Sequence, residues 1–234
     1  QNTTADGNTA VGHHALYVST TANNNVAVGN DSMKTTTTGS SNVAVGSDAL
    51  HANTTGWACT AVGKGALVAN TEGEYNVAVG HAALDAITTS DRCTAIGTYS
   101  LGANTGSYNT AVGMYALTAN VAAQYNNAFG YNALGSNTTA EYGVAVGHAA
   151  LSANTTGAQN TGIGYNALGN NTTGTLNVAV GGGALDANTT ASHNTAIGQN
   201  SLGANTEGAS NTAVGRSALG ACTTGGANDA FGKQ

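Results

Sequence analysis

Residues able to do chemistry are few in this chain, so their spacing decides what they could do. There are six histidines, three cysteines and eleven carboxylates in 234 residues. His13, His81 and His148 each follow an equivalent glycine and lie four sequence repeats apart. If each repeat adds one strand layer of ~4.8 Å, they stand ~19 Å from one another, too far to share one metal ion. His13 and His14 are neighbours, and adjacency alone does not make a ligand set. Cys59, Cys93 and Cys222 are odd in number and have no metal-ligand spacing. Gly181-Gly182-Gly183 follows a strand-like run, but no helical pattern follows to complete a phosphate site. The Gly-Gly-x-Gly-x-Asp calcium repeat is absent. No catalytic, cofactor or metal site is assigned on these grounds, and the expectation is a protein that is not an enzyme.

The tyrosines are the other candidates. Tyr75, Tyr108, Tyr125 and Tyr142 share one repeat position, and the last three lie in successive repeats, so an exposed ladder is predicted. Tyr99, Tyr115, Tyr131 and Tyr165 fall on the neighbouring turn. Exposed aromatics suit contact with a glycan or a protein. They could equally cover the edge of a thin roll or a seam between protomers. Asn-x-Thr sequons at Asn53, Asn137, Asn154 and Asn188 follow from the repeat itself and say nothing of glycosylation.

What must position these residues is a repeat. Its signature is Asn-(Thr/Val)-Ala-(Val/Ile)-Gly-x-x-Ala-Leu-x-Ala-Asn-Thr-Thr-Gly-x-x. The glycine closing Ala-Val-Gly, taken as position 0, recurs fourteen times from Gly12 to Gly232. Twelve intervals are 17 residues; Gly97 to Gly113 is 16, one residue being lost within Asn104–Tyr108. A loss there implies a turn. The whole chain, 1–234, reads as a single repeat array.

The columns separate an inside from an outside. Position −1 is always Val, Ile or Phe, and −2 is Ala in all repeats but one, Gly162. Position +4 is Leu except for Met33, and +3 is Ala or Ser. Uniform size at one position is the mark of a packed interior. Fifteen of the sixteen charges fall in the variable positions +1, +2, +5, +9, +11 and +12; the exception is Asp229 in the last repeat. Such a division predicts a solenoid.

A 17-residue unit is too short for two helices and a turn. The reading is therefore all-β: a parallel β-solenoid or β-roll of about fourteen coils, rod-shaped, roughly 60 Å long at one strand spacing per coil. Two short strands per coil are expected, Asn-Thr-Ala-Val and Ala-Leu-x-Ala, the second a weak strand former that stacking must override. Alternation in the first puts Val on one face and Ala on the other, and Val is assigned first to the interior. The alternative is that Ala lines a very thin interior and Val faces out, giving a monomeric solenoid. Two Asn columns, −4 (Asn8, Asn25, Asn42, Asn76) and +7 (Asn53, Asn70, Asn104, Asn137), should stack and bond turn backbone along the array. All three cysteines sit in these columns and read as replacements for ladder Asn. Cys59 and Cys93, two coils or ~9.5 Å apart, are too distant for a disulfide.

Asn-Thr-Ala-Val-Gly-x-x-Ala-Leu resembles the head repeat of trimeric autotransporter adhesins and the similar repeats of phage tail-fibre and tailspike proteins. The likeness covers essentially the whole chain, although the adhesin coil is shorter. It implies a left-handed parallel β-roll with three chains about one axis. The uniform Ala column, read as an outward face, implies by itself only that something packs there.

Composition bounds the rest. Charged residues are 7% and the net charge is −6, with no basic stripe for nucleic acid. No apolar run reaches the ~20 residues of a membrane helix, and no signal peptide is visible. The expected partners are other copies of the chain, as a homotrimer or end to end, and a cell-surface glycan or protein. The function expected first is a fibre or adhesin rod on a cell surface or virion. A self-assembling extracellular filament comes second, because Gln1-Asn2-Thr3-Thr4 and Phe231-Gly232-Lys233-Gln234 stand within the pattern. An ice-binding solenoid comes third, from Thr at +8 in twelve of thirteen coils and at +9 in nine.

Overall fold

A computed structural model describes residues 4–233; Gln1, Asn2, Thr3 and Gln234, part of the terminal segments discussed above, lie outside the described residues. The chain divides into two compact units, one ending at Tyr115 and the other beginning at Ala116. Each is a parallel β-solenoid built from the same coil, and the described residues contain no helix.

The first unit holds seven three-residue strands, from β1 (Thr9–Val11) to β7 (Thr110–Val112). Each pairs in parallel with the next, Ala over Ala: Ala27 with Ala44, Ala44 with Ala61, Ala61 with Ala78. The second unit holds seven more, from β8 (Asn127–Phe129) to β14 (Asp229–Phe231), in the same register. The ladder is an ordinary parallel one. Val43 N–H donates to the Cys59 carbonyl at 2.9 Å, and Gly46 N–H donates back to Val28 at 2.8 Å. The short coil keeps register, since Thr94 pairs with Thr110. Its missing residue falls between +7 and +10: Asn104 Nδ2 reaches Gly106 two residues on, where Asn53 Nδ2 reaches Gly56 three residues on. That segment is turn, as expected.

The strand faces are opposite to the first assignment and match the alternative. Ala lines the interior: Ala27, Ala44 and Ala61 are fully buried, and Val45 and Val62 are more than a third exposed. Gly162 reports why. A Cβ there would sit 3.2 Å from Leu151 Cγ and 3.0 Å from the Ala167 carbonyl. The middle strand residue thus faces the Leu column across a very thin coil, and only a methyl fits. Val has no room inside.

The second expected strand is also absent. Ala-Leu-x-Ala lies in turns, and every +4 residue is left-handed, from Met33 (φ 47) to Leu67 and Leu151 (φ 53). Position +2 is left-handed as well, for example Asp48 (φ 57) and Tyr99 (φ 55). This backbone donates in alternating directions. Asp48 N–H bonds the preceding coil at Asn30 (3.0 Å), and Leu50 N–H bonds the following coil at Ala66 (2.9 Å). Ala49 and Leu50 are thereby both buried, which a strand cannot do with consecutive residues. Leu50, Leu67, Leu84 and their equivalents form the bulk of the core.

The turns are bonded from inside. The −4 Asn column offers Oδ1 to the next coil and Nδ2 to the next turn, as Asn42 does: its Oδ1 accepts from Cys59 N–H (2.8 Å), and its Nδ2 donates to Gly56 (2.9 Å). A +7 Asn donates to its own turn and, where the preceding +7 residue is also Asn, to that side chain, as Asn70 Nδ2 does to Gly73 (3.1 Å) and Asn53 Oδ1 (3.2 Å). Both columns are buried, and the predicted ladders are present. The +8 Thr closes the third corner. The Thr71 carbonyl accepts N–H groups of Thr54 (2.9 Å), Thr55 (3.1 Å) and Gly56 (3.3 Å), and the Thr54 hydroxyl at 3.0 Å.

Candidate functional site

The strand, the Ala-Leu segment and the Asn ladders fix the backbone, so the side chains at +1, +2, +11 and +12 stack in columns over the outer surface. Position +12 is left-handed throughout, including Tyr75 (φ 56), Tyr108 (φ 63), Tyr125 (φ 61) and Tyr142 (φ 60). These four are 40–53% exposed. In the first unit Tyr75 meets Trp57 edge-on at 4.5 Å. The Arg92 guanidinium lies 5.2 Å from the Tyr75 ring centroid and 5.7 Å from that of Tyr108, and reaches the Tyr108 hydroxyl at 3.4 Å. In the second unit Tyr125 and Tyr142 stack at 5.3 Å, nearly parallel.

The +1/+2 positions carry a second set. Tyr99 and Tyr115 stack at 5.7 Å, with His81 edge-on to Tyr99 at 5.3 Å. Tyr131, His148 and Tyr165 form a run of three at 5.2 and 5.5 Å. His81 and His148 are therefore aromatic partners in these stacks. Their role was missed because the sequence reading weighed them against each other across four coils, not against the tyrosines one coil away.

The cysteines replace ladder Asn as expected. Cys59 Sγ donates to Gly73 (3.3 Å), Cys93 Sγ to Gly106 (3.2 Å) and Cys222 Sγ to Gly225 (3.4 Å), each the carbonyl that a ladder amide would reach. All three thiols are free. Burial pushes Cys59 and Cys93 up to about 11, so neither is a nucleophile at neutral pH. Most +8 Thr hydroxyls donate to the next coil, as Thr155 does to the Thr172 carbonyl at 3.0 Å. A shallow open depression in the second unit, about 550 Å³, is lined by Asp186, Asn200, Ser217 and small residues. Burial raises the Asp186 carboxyl above its usual range. Among the described residues, no second titratable side chain lines that depression.

The remaining outward surface is the strand face. Its two columns, −3 and −1, are Thr or Val and Val, Ile or Phe, with Asn127 and Asp229 the exceptions. Val43, Val45, Val62 and Ile96 in the first unit, and Phe129, Val146, Ile163 and Ile197 in the second, are each 36–41% exposed.

Fold and surface together define a class, the parallel β-solenoid repeat protein with an Ala/Leu core and Asn-laddered turns. No family model, curated protein or solved structure matches the chain.

Proposed function

We propose that the chain is a non-catalytic fibre or adhesin segment, displayed outside the cell or on a virion, whose coils space and present a binding surface. The observation that carries this reading is the strand face. In each unit, β-branched and aromatic side chains stand outward on successive coils, with Asn127 and the charged Asp229 the exceptions. Repeated apolar exposure of this kind marks an interaction surface. The self-association inferred from the sequence moves to this face: copies pack side by side through Val and Ile, not through Ala, which is buried. The number three comes from the adhesin resemblance. Tyr75, Tyr108, Tyr125 and Tyr142 are the proposed contact for a glycan or protein partner.

Light scattering on the purified chain tests the assembly. A mass near 22.8 kDa refutes self-association, and three times that supports the trimer. Val45→Lys with Val146→Lys should shift the trimer to monomer and leave the circular dichroism unchanged. Electron microscopy of the native particle tests the fibre reading, which fails if the chain is found on free intracellular particles.

A further inference from the structure

The backbone bond that sets the +1/+2 columns brings Asp31 against the adjacent pair His13 and His14, although the sequence keeps it 17 residues beyond His14. Asp31 N–H donates to the His13 carbonyl at 2.9 Å, which seats Asn30 over His13 and Asp31 over His14. The two imidazole centroids are 3.7 Å apart. His13 Nδ1 lies 3.2 Å from Asn30 Oδ1, and His14 Nδ1 lies 3.1 Å from Asp31 Oδ1. The ligand atoms of His13, His14 and Asp31 all fall within 4.8 Å of one another.

We propose that His13, His14 and Asp31 form a site for one divalent transition-metal ion of the zinc, nickel or copper type. Two imidazole nitrogens and one carboxylate oxygen suit these ions, and their exposed setting leaves further positions to water. Asn30 supplies the outer contact that fixes the His13 ring, as a hydrogen-bonded carbonyl does around many bound metals. The carboxylate already holds a cation. Lys34 Nζ sits 3.1 Å from Asp31 Oδ1, and its ammonium is the first cause that holds this carboxyl below its ordinary range. Lys34 and the metal therefore compete for Asp31, and the ammonium must swing out when the ion enters. The site is a local addition to the repeat: the other coils place Asp48, Gly65, Ala82 and Tyr99 at the position of His14. That variety means His14 can be replaced without loss of the coil.

Zinc ion titrated into the full chain in a calorimeter decides the matter, with circular dichroism to confirm that each variant is folded. One ion per chain is expected. His14→Ala should weaken binding about ten-fold or more. Asp31→Asn should weaken it too, and Lys34→Gln should tighten it several-fold, since it removes the competitor. His148→Ala, a histidine held in an aromatic stack, should bind as wild type does. Absence of binding by the wild-type chain overturns the proposal. So does an equal loss in His148→Ala and His14→Ala, or weaker binding by Lys34→Gln, which would show Lys34 supporting the site.

Discussion

The two halves of the coil interior reach the same end by different backbones. In the strand, Thr60-Ala61-Val62 alternates, and only Ala61 is buried. Five residues on, Ala66 and Leu67 are consecutive and both fully buried, because Leu67 is left-handed (φ 53). One half contributes a methyl per coil, the other a methyl and an isobutyl group. The unequal contribution sets the thinness of the coil and pushes the larger β-branched residues outward. A left-handed Leu costs roughly 1–2 kcal/mol, and here it is accepted in every coil. The return is an interior that two strands could not fill from so few residues, since a strand buries only alternate side chains.

The largest effect should come from charging the half that supplies the bulk. Leu151→Asp places an unpaired carboxylate where Leu is fully buried, and should cost about 5 kcal/mol or more in a denaturant titration. Lys64→Ala and Glu74→Ala, on the variable outer columns, should each stay within about 0.5 kcal/mol. If Leu151→Asp melts like these two, the Ala-Leu segment is not the core.

Next comes the hinge between the halves. A Cβ on Gly63 would stand 2.5 Å from the Gly80 carbonyl oxygen, at φ +132 where L residues are strained. Two residues later Gly65 (φ +67) has nothing within 4 Å. Gly63→Ala should therefore cost about 2–5 kcal/mol and Gly65→Ala about 1 or less. Equal midpoints would mean that coils do not stack carbonyl over glycine.

These sites also show how far the sequence could be read. The period, the parallel all-β stacking, the Asn ladders and the cysteines as ladder substitutes were legible, because each depends only on which residues recur. Which face Val takes was not. Alternation gives two faces without saying which is inner, and what decided it was the Leu column across the coil, a partner invisible until the second segment's backbone is known. That backbone was misread for the same reason. Leu at positive φ breaks the local rule, and only stacking against identical neighbours sustains it. The His13–His14–Asp31 cluster was hidden by looking within one coil.

A smaller effect tests the ladders. The buried Oδ1 atoms of Asn70 and Asn205 have no hydrogen-bond partner among the described residues. The next +7 residues are Ile87 and Cys222, neither of which carries an amide to donate. Cys222→Asn should supply that donor to Asn205 and keep the contact to Gly225, raising stability by about 1 kcal/mol. An unchanged or lower melting temperature would show that the +7 ladder holds turns individually and gains nothing from continuity.

The smallest effect is the sharpest test of the two backbones. In most settings glycine is worse than alanine by about 0.5–1 kcal/mol, because its unfolded chain is freer. Leu168→Ala should cost about 2–5 kcal/mol through the cavity it leaves. The alanine would still sit at φ 52 and keep the left-handed penalty. Leu168→Gly escapes that penalty. Its gain of roughly 1–2 kcal/mol offsets both the extra entropy and the lost methyl burial of about 0.8 kcal/mol. The two variants should therefore unfold within about 0.5 kcal/mol of each other. In the strand no such relief exists, since Ala179 lies in β11 (Val178–Val180) and is not among the left-handed residues. Ala179→Gly should cost the full sum of entropy and burial, about 1–2 kcal/mol. A glycine penalty at 168 as large as that at 179 would mean that Leu168 is not left-handed in solution. The Ala-Leu segment would then be a second strand after all, and the contrast between the two halves of the coil would fall with it.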